Sequence, residues 1–272
     1  ASVWPGSPEE AALDFDVFNQ PRRFVDVFNR GQGEFEFNAT TSAPWIRLDA
    51  GRGRVQSEQR VWVSVDWRRA PKGTATNSLT IISPVGEPVT IKLITFNPVS
   101  PRRQEITGFV ETDGCVAIEA EHFARKTDTA ARWEKVADYG RTLSSMTIFP
   151  VTAASATPPL NSPCLEYPMH LFSTGKVEVA AIIAPTLNYV PDRGLRFAVS
   201  FDDEPPQMLT AVPKGFFVDN GNRDWEESVR NNCREITSTH TIPQPGPHVL
   251  KIWMVDPAVA LQRIVVNTGG VK

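Results

Sequence analysis

Short runs of alternating apolar and polar residues, separated by Pro, Gly and Asn turns, fill the chain almost from end to end, and this pattern predicts an all-β protein. In the first part, residues 23–30, 34–39, 44–48, 60–67, 78–83 and 88–96 read as strands. In the 60–67 run, RVWVSVDW, period two places Val61, Val63 and Val65 on one face and Trp62, Ser64 and Asp66 on the other. A sandwich with the valines inward is expected, with APKGTATNS as a turn before the next strand. NPVSPRRQE, 97–105, is polar, holds two prolines and marks a domain boundary. Beyond it, nine strands are expected at 116–123, 145–151, 165–172, 176–184, 195–201, 207–212, 234–242, 248–255 and 261–266, a density that fits a jelly-roll sandwich. Only RDWEESVRNNC has helical spacing, with Trp225 and Val229 four apart, and predicts one or two turns of helix. The domains are therefore expected at 1–98, including an N-terminal extension, and 106–272, with 99–105 as linker.

Composition narrows the partners. At 272 residues and 41% hydrophobic, the chain can fill a core in one large domain or two ordinary ones. A net charge of -3, with both signs interspersed, supplies no basic face, so neither nucleic acid nor an anionic membrane is an expected partner. The apolar runs are too short to cross a bilayer. The opening ASVWPGSPEE is neither a signal peptide nor a Met start, and reads as a piece processed or excised from something longer. Cys115, Cys164 and Cys233 allow one disulfide with a thiol left over, or three thiols, and lack zinc-ligand spacing. The sequon Asn38-Ala39-Thr40 points weakly to secretion.

The chemistry-bearing stretch is CVAIEAEHF, 115–123. On a regular strand Glu119 and Glu121 leave on one face, with His122 opposite, and two carboxylates so placed repel unless something positive lies between them. Three readings compete: calcium, with Asp256 as a third ligand if the final strands return beside the first; a hydrogen-bonded or Arg-paired structural role; or catalysis. Neighbours on one strand do not readily flank a sugar from two sides, and neither HExxH nor GxSxG occurs. FDDEPPQ, 201–207, reads as a solvated acidic turn. Tyr189, beside Asn188, Asp192 and Arg193, suits either stacking on a sugar or anchoring its loop. Trp225, among polar neighbours, is either a loop peg or one side of a ligand platform. Trp45, Trp62 and Trp253 read as structural, and Trp133 as a cover over the glutamate strand.

Several long phrases in order, among them FDVFNQPRRFVDVFNRGQGEFEFNATTSAPWIRLD, VWVSVDWRRAPKGT, GFVETDGCVAIEAEHFARK, LEYPMHLFSTGKVEV, RFAVSFDDEPPQ and PGPHVLKIWMVDPAVALQRIVVNTGG, resemble the C-terminal accessory region of the glycoside hydrolase family 115 α-glucuronidases. The resemblance covers nearly the whole chain. It implies an immunoglobulin-like sandwich followed by a jelly roll resembling carbohydrate-binding modules, whose first strand carries an acidic pair for structural calcium. Glu119 and Glu121 match that pair, and Asp256 would complete the set. It further implies a secreted parent that removes glucuronic acid or its 4-O-methyl form from xylan by inversion, with catalytic residues in an upstream region outside this chain. The expected role is a noncatalytic portion that supports the catalytic region, helps form a homodimer or shapes the approach of the polymer. An alternative is an independent glucuronoxylan-binding module using Trp225, Tyr189 and Asn188, with Arg193 pairing a uronate carboxylate. A self-sufficient hydrolase using Glu119 or Glu121 is the third reading.

Overall fold

The computed structural model describes residues 12–84, 86–218 and 221–270, and the chain divides into two compact units, Ala1–Glu105 and Ile106–Lys272. The first unit contains β1 (Ala12–Asp16), β2 (Arg23–Phe28), β3 (Phe35–Thr41), β4 (Ile46–Leu48), β5 (Arg52–Val55), β6 (Glu58–Val65), β7 (Gly73–Ile82) and β8 (Val89–Asn97). They form a five-stranded sheet in the order β1-β8-β7-β3-β5 and a three-stranded sheet in the order β2-β6-β4. β1 runs parallel to β8, and the other pairs are antiparallel. The alternation in β6 works as expected: Val61 and Val63 are fully buried and Val65 packs beside them, against Phe37, Val55, Leu79 and Leu93. Each such side chain contributes roughly 1.5–3 kcal/mol by leaving water.

One expectation fails in this unit. Gly73–Asn77, read as part of a turn, forms the first half of β7, paired residue for residue with β8 from Gly73↔Asn97 to Asn77↔Leu93. A continuous partner strand outweighs the weak local preference of GTATNS, because strand propensity is largely a matter of what lies alongside.

The second unit contains β9 (Phe109–Val110), β10 (Cys115–Glu119), β11 (Arg125–Thr127), β12 (Arg132–Val136), β13 (Ser145–Phe149), β14 (Cys164–Leu171), β15 (Gly175–Ile183), β16 (Leu195–Phe201), β17 (Gln207–Val212), helix α1 (Arg223–Asn231), β18 (Arg234–Ile242), β19 (Gly246–Met254) and β20 (Leu261–Asn267). One sheet has the order β12-β13-β20-β15-β18 with β10 on β20, and the other β11-β14-β19-β16-β17 with β9 on β14. The protein is thus nearly all-β, with both units built from packed sheets. β15 shows why: Val177, Val179, Ala181 and Ile183 alternate inward with Lys176, Glu178, Ala180 and Ile182, and the inward set is buried. Trp133, Tyr167, Met146, Phe197 and Ile264 fill the space between the sheets.

All nine expected strands of this unit are present. The expected 116–123 run, however, stops at Glu119, and Ala120–His122 form a 3-10 turn. Tyr167, buried in the core, donates its hydroxyl to the Ala120 carbonyl at 2.7 Å, and Ala120 is itself fully buried. That contact turns the chain inward and ends the alternation. At the chain's last described residues Gly270 donates to the Gly114 carbonyl, and a Cβ on Gly270 would lie 1.6 Å from the Asp113 carbonyl oxygen. Only glycine fits there.

Candidate functional site

At one end of the second unit three loops, 150–163, 184–194 and 255–260, converge on Asp256. The NYVPDRG segment folds on itself first: Asn188 Oδ1 accepts the Val190 N–H at 2.9 Å, and the Val190 carbonyl accepts the N–H groups of Arg193 and Gly194. Gly194 sits at φ +85°, where any Cβ would also collide with the Val212 carbonyl. This tight turn brings Arg193 onto Asp256, whose oxygens its two terminal nitrogens reach at 2.6 and 2.7 Å. Ser155 donates to Asp256 Oδ1 at 2.5 Å, and the Arg196 backbone N–H donates to Oδ2 at 2.8 Å. Asp256 is 1% exposed. Burial by itself raises its pKa, but the hydrogen bonds from Arg193, Ser155 and Arg196 outweigh it and hold the carboxyl below its ordinary value.

Tyr189 donates its hydroxyl to the Pro257 carbonyl at 3.0 Å while its ring remains about half exposed. Its phenol is pushed up to about 12, chiefly by burial and then by the Asp256 charge, with Arg193 opposing. Tyr189 thus stays a neutral donor. Ser155 also lines a cleft of about 700 Å³ whose other walls include Thr129, Ala131, Pro150, Leu160 and Met254. The Asp256 brace therefore sets the position of one wall of this cleft. Its lining is uncharged, mixing hydroxyl and amide groups with small apolar side chains.

The structure redistributes the residues singled out in the sequence. Asn188, Tyr189, Arg193 and Asp256 do come together, and Arg193, expected as a partner for a uronate carboxylate, is paired with Asp256. Trp225 lies in the first turn of α1, half-buried and packed against the core. Asn222 caps the helix by accepting the Trp225 N–H at 3.4 Å, and Asn232, at φ 52°, closes its other end. Trp225 packs α1 against the core of the sandwich. Trp133 is 1% exposed, inside the core. The three cysteines are free thiols, and burial pushes the Cys164 thiol up to about 12.

The acidic pair takes a form different from the same-face arrangement. Glu119 faces Arg263 across the β10–β20 ladder, with Arg263 Nε at 3.0 Å from Oε1, and Thr142 donates to it at 2.8 Å. Glu121, in the 3-10 turn, is held below its usual carboxyl range first by a hydrogen bond from Ser144, which burial opposes and Lys135 and His122 reinforce. His122, expected on the opposite face, lies 3.7 Å from Glu121, and Lys135 Nζ lies at 3.9 Å. Glu121 Oε2 is a buried acceptor with no donor, but one open oxygen is far from the six to eight that calcium takes. Among the described residues no three His, Cys, Asp or Glu side chains gather where they could hold a metal. With Glu119 on Arg263 and Asp256 on Arg193, the donor set does not fit the expected calcium site. The partners that sequence reasoning missed, Ser155, Arg196 and Arg263, carry no local signal, since Arg263 is 144 positions from Glu119.

A model of the glycosyl hydrolase family 115 C-terminal domain matches residues 108–272. Among solved structures, a family 115 4-O-methyl-α-glucuronidase with specificity for decorated arabinogalactans shares 16% identity at a TM-score of 0.42, covering 63% of this chain and 19% of that one. The chain thus spans about a fifth of that protein's length. The C-terminal family 6 carbohydrate-binding module of a marine laminarinase from Zobellia galactanivorans shares 14% identity at a TM-score of 0.37, covering 56% of this chain and 98% of that one. A family 35 carbohydrate-binding module from Clostridium thermocellum shares 13% identity at 0.35, covering 56% and 96%. No curated protein matches the chain.

Proposed function

The chain belongs to glycosyl hydrolase family 115, whose C-terminal domain is a noncatalytic region, and from that membership we propose that it is the accessory portion of a xylan-acting α-glucuronidase, presenting its braced loop end to the glucuronoxylan while an upstream region does the chemistry. The observation that supports this reading is the occupation of the acidic side chains: Glu119, Glu121 and Asp256 each face a cation of the same chain, and none of them lines the cleft. A hydrolytic pair needs two carboxyl groups on either side of a bound sugar. Incubation of the purified chain with glucuronoxylan tests it: no glucuronic acid should be released. Release that disappears on Glu119→Gln or Glu121→Gln would overturn the reading.

A second reading, direct binding of xylan oligosaccharides by this chain, is favoured by the half-exposed Tyr189 ring beside the loops that form the cleft. Titration calorimetry with aldouronic oligosaccharides distinguishes it. A saturable signal weakened about 10-fold or more by Tyr189→Ala supports binding at this end, and no heat at millimolar ligand removes it.

A further inference from the structure

The acidic turn 202–206, one strand length along β16 from the Asp256 brace, is not the solvated turn its sequence predicts. Asp203 is fully exposed, but its two acidic neighbours are each held by a buried histidine. Asp202 accepts the Val249 N–H on Oδ1 at 2.8 Å, donates its own N–H to the Val249 carbonyl, and accepts Lys251 on its carbonyl. Its Oδ2 lies 2.7 Å from His248 Nδ1. Glu204 accepts the Phe201 N–H at 2.8 Å and the Nδ1 of His240. His240 is on β18 and Glu204 precedes β17, so this contact spans the two sheets at the seam where their edge strands meet.

The two histidines differ in what their second nitrogen meets. His240 Nε2 lies 2.7 Å from Ser238 Oγ, and a hydroxyl can donate or accept, so a neutral ring with its proton on Nδ1 satisfies Glu204 and Ser238, with Gln207 Nε2 a further neighbour of Nδ1 at 3.1 Å. His248 Nε2 lies 2.9 Å from the Gln244 carbonyl. A carbonyl only accepts, so this nitrogen carries a proton, and the Asp202 carboxylate on the other side only accepts as well. Only the imidazolium makes both contacts. A neutral ring must give one of them up, and the ring, 5% exposed, has little water to replace it.

We propose that His248 is a pH-operated latch, which as imidazolium ties the Asp202 side chain of the 202–206 turn to the Gln244 carbonyl of the β18–β19 hairpin and on losing its proton gives up one of these two ties, loosening the turn. The titratable groups around it are these. Asp202 on the turn bonds the ring directly, His170 on β14, itself near the Glu111 carboxylate, interacts with it through charge, and Asp203 and Lys251 beside them pair with each other. Both contacts are made together only while both ring nitrogens carry protons and the Asp202 carboxyl does not.

The test is made on the unaltered chain and two variants. In ¹⁵N-detected spectra at pH 6 both ring nitrogens of His248 should be protonated; a singly protonated ring there overturns the proposal whatever the variants do. Between pH 6 and 8.5 the Tm of the chain should fall by about 3 °C more than that of His248→Gln, the scale expected for one lost contact in a domain of this size. His240→Gln should keep the full pH response. Amide exchange at Asp202 and Val249, corrected for intrinsic rates, should speed up several-fold over the same range only where His248 is present. Equal pH profiles for the chain and His248→Gln would also overturn it.

Discussion

The Asp256 carboxylate is the most heavily bonded acidic side chain of the loop end, and its energetics follow from what surrounds it. Asp256→Asn removes the charge while leaving Arg193 and the Arg196 N–H in place, so a guanidinium loses its counter-charge. Breaking a fully buried pair in this way costs about 3–5 kcal/mol, and because a third of the Arg193 side chain is exposed the expected loss is smaller, about 2 kcal/mol by urea unfolding at pH 7. The sign with pH is set by the lowered carboxyl. A pKa below its unfolded value contributes stability that is full above that value and is lost as pH falls through the folded one, so the gap between the chain and Asp256→Asn should close below about pH 4. Of this site the sequence showed the acid, the tyrosine and the arginine, each conspicuous for its chemistry. It did not show that the arginine belongs to the acid, because the two are 63 positions apart and nothing local aims one at the other.

At the scale of elements, α1 is a nine-residue helix whose sequence is mostly polar, and such a helix is marginal without tertiary support. Trp225 supplies that support through the core. Trp225→Ala should therefore loosen α1, read as amide exchange in 223–231 faster by 10-fold or more, while leaving any oligosaccharide affinity within about 2-fold; a selective loss of sugar binding would make Trp225 a ligand contact instead. Period-two alternation marked the long strands well, since β15 and β6 each have one buried face. It missed β1, β5, β9, β11 and β12. β11 is RKT, exposed throughout, and its only structural instruction is the β14 ladder that it joins. The 3-10 turn after Glu119 was hidden for a related reason: EAEH alternates as a strand would, and the Tyr167 hydroxyl that diverts it comes from 47 positions away.

For the whole molecule, the cationic partners of the acids carry a consequence for metal dependence. If Arg263 and Arg193 supply the positive charge, chelation with EDTA should leave the Tm of the chain unchanged within about 1 °C, whereas Arg263→Ala should lower stability by up to about 1 kcal/mol, the range of a partly exposed pair. A chelator-induced drop of several degrees, restored by calcium, would place a cation among these residues. Taken alone, the sequence determined that the protein is all-β, which residues face inward along its longer strands, and, through long ordered phrases, its family. These are repeated signals, and each is local or sums over many positions. The tertiary structure alone decided who neutralises Glu119 and Asp256, where the glutamate strand stops, and that two acids of the 202–206 turn meet buried histidines. Such pairings depend on single contacts between distant strands, and a contact of that kind leaves no trace in the spacing of either residue along the chain.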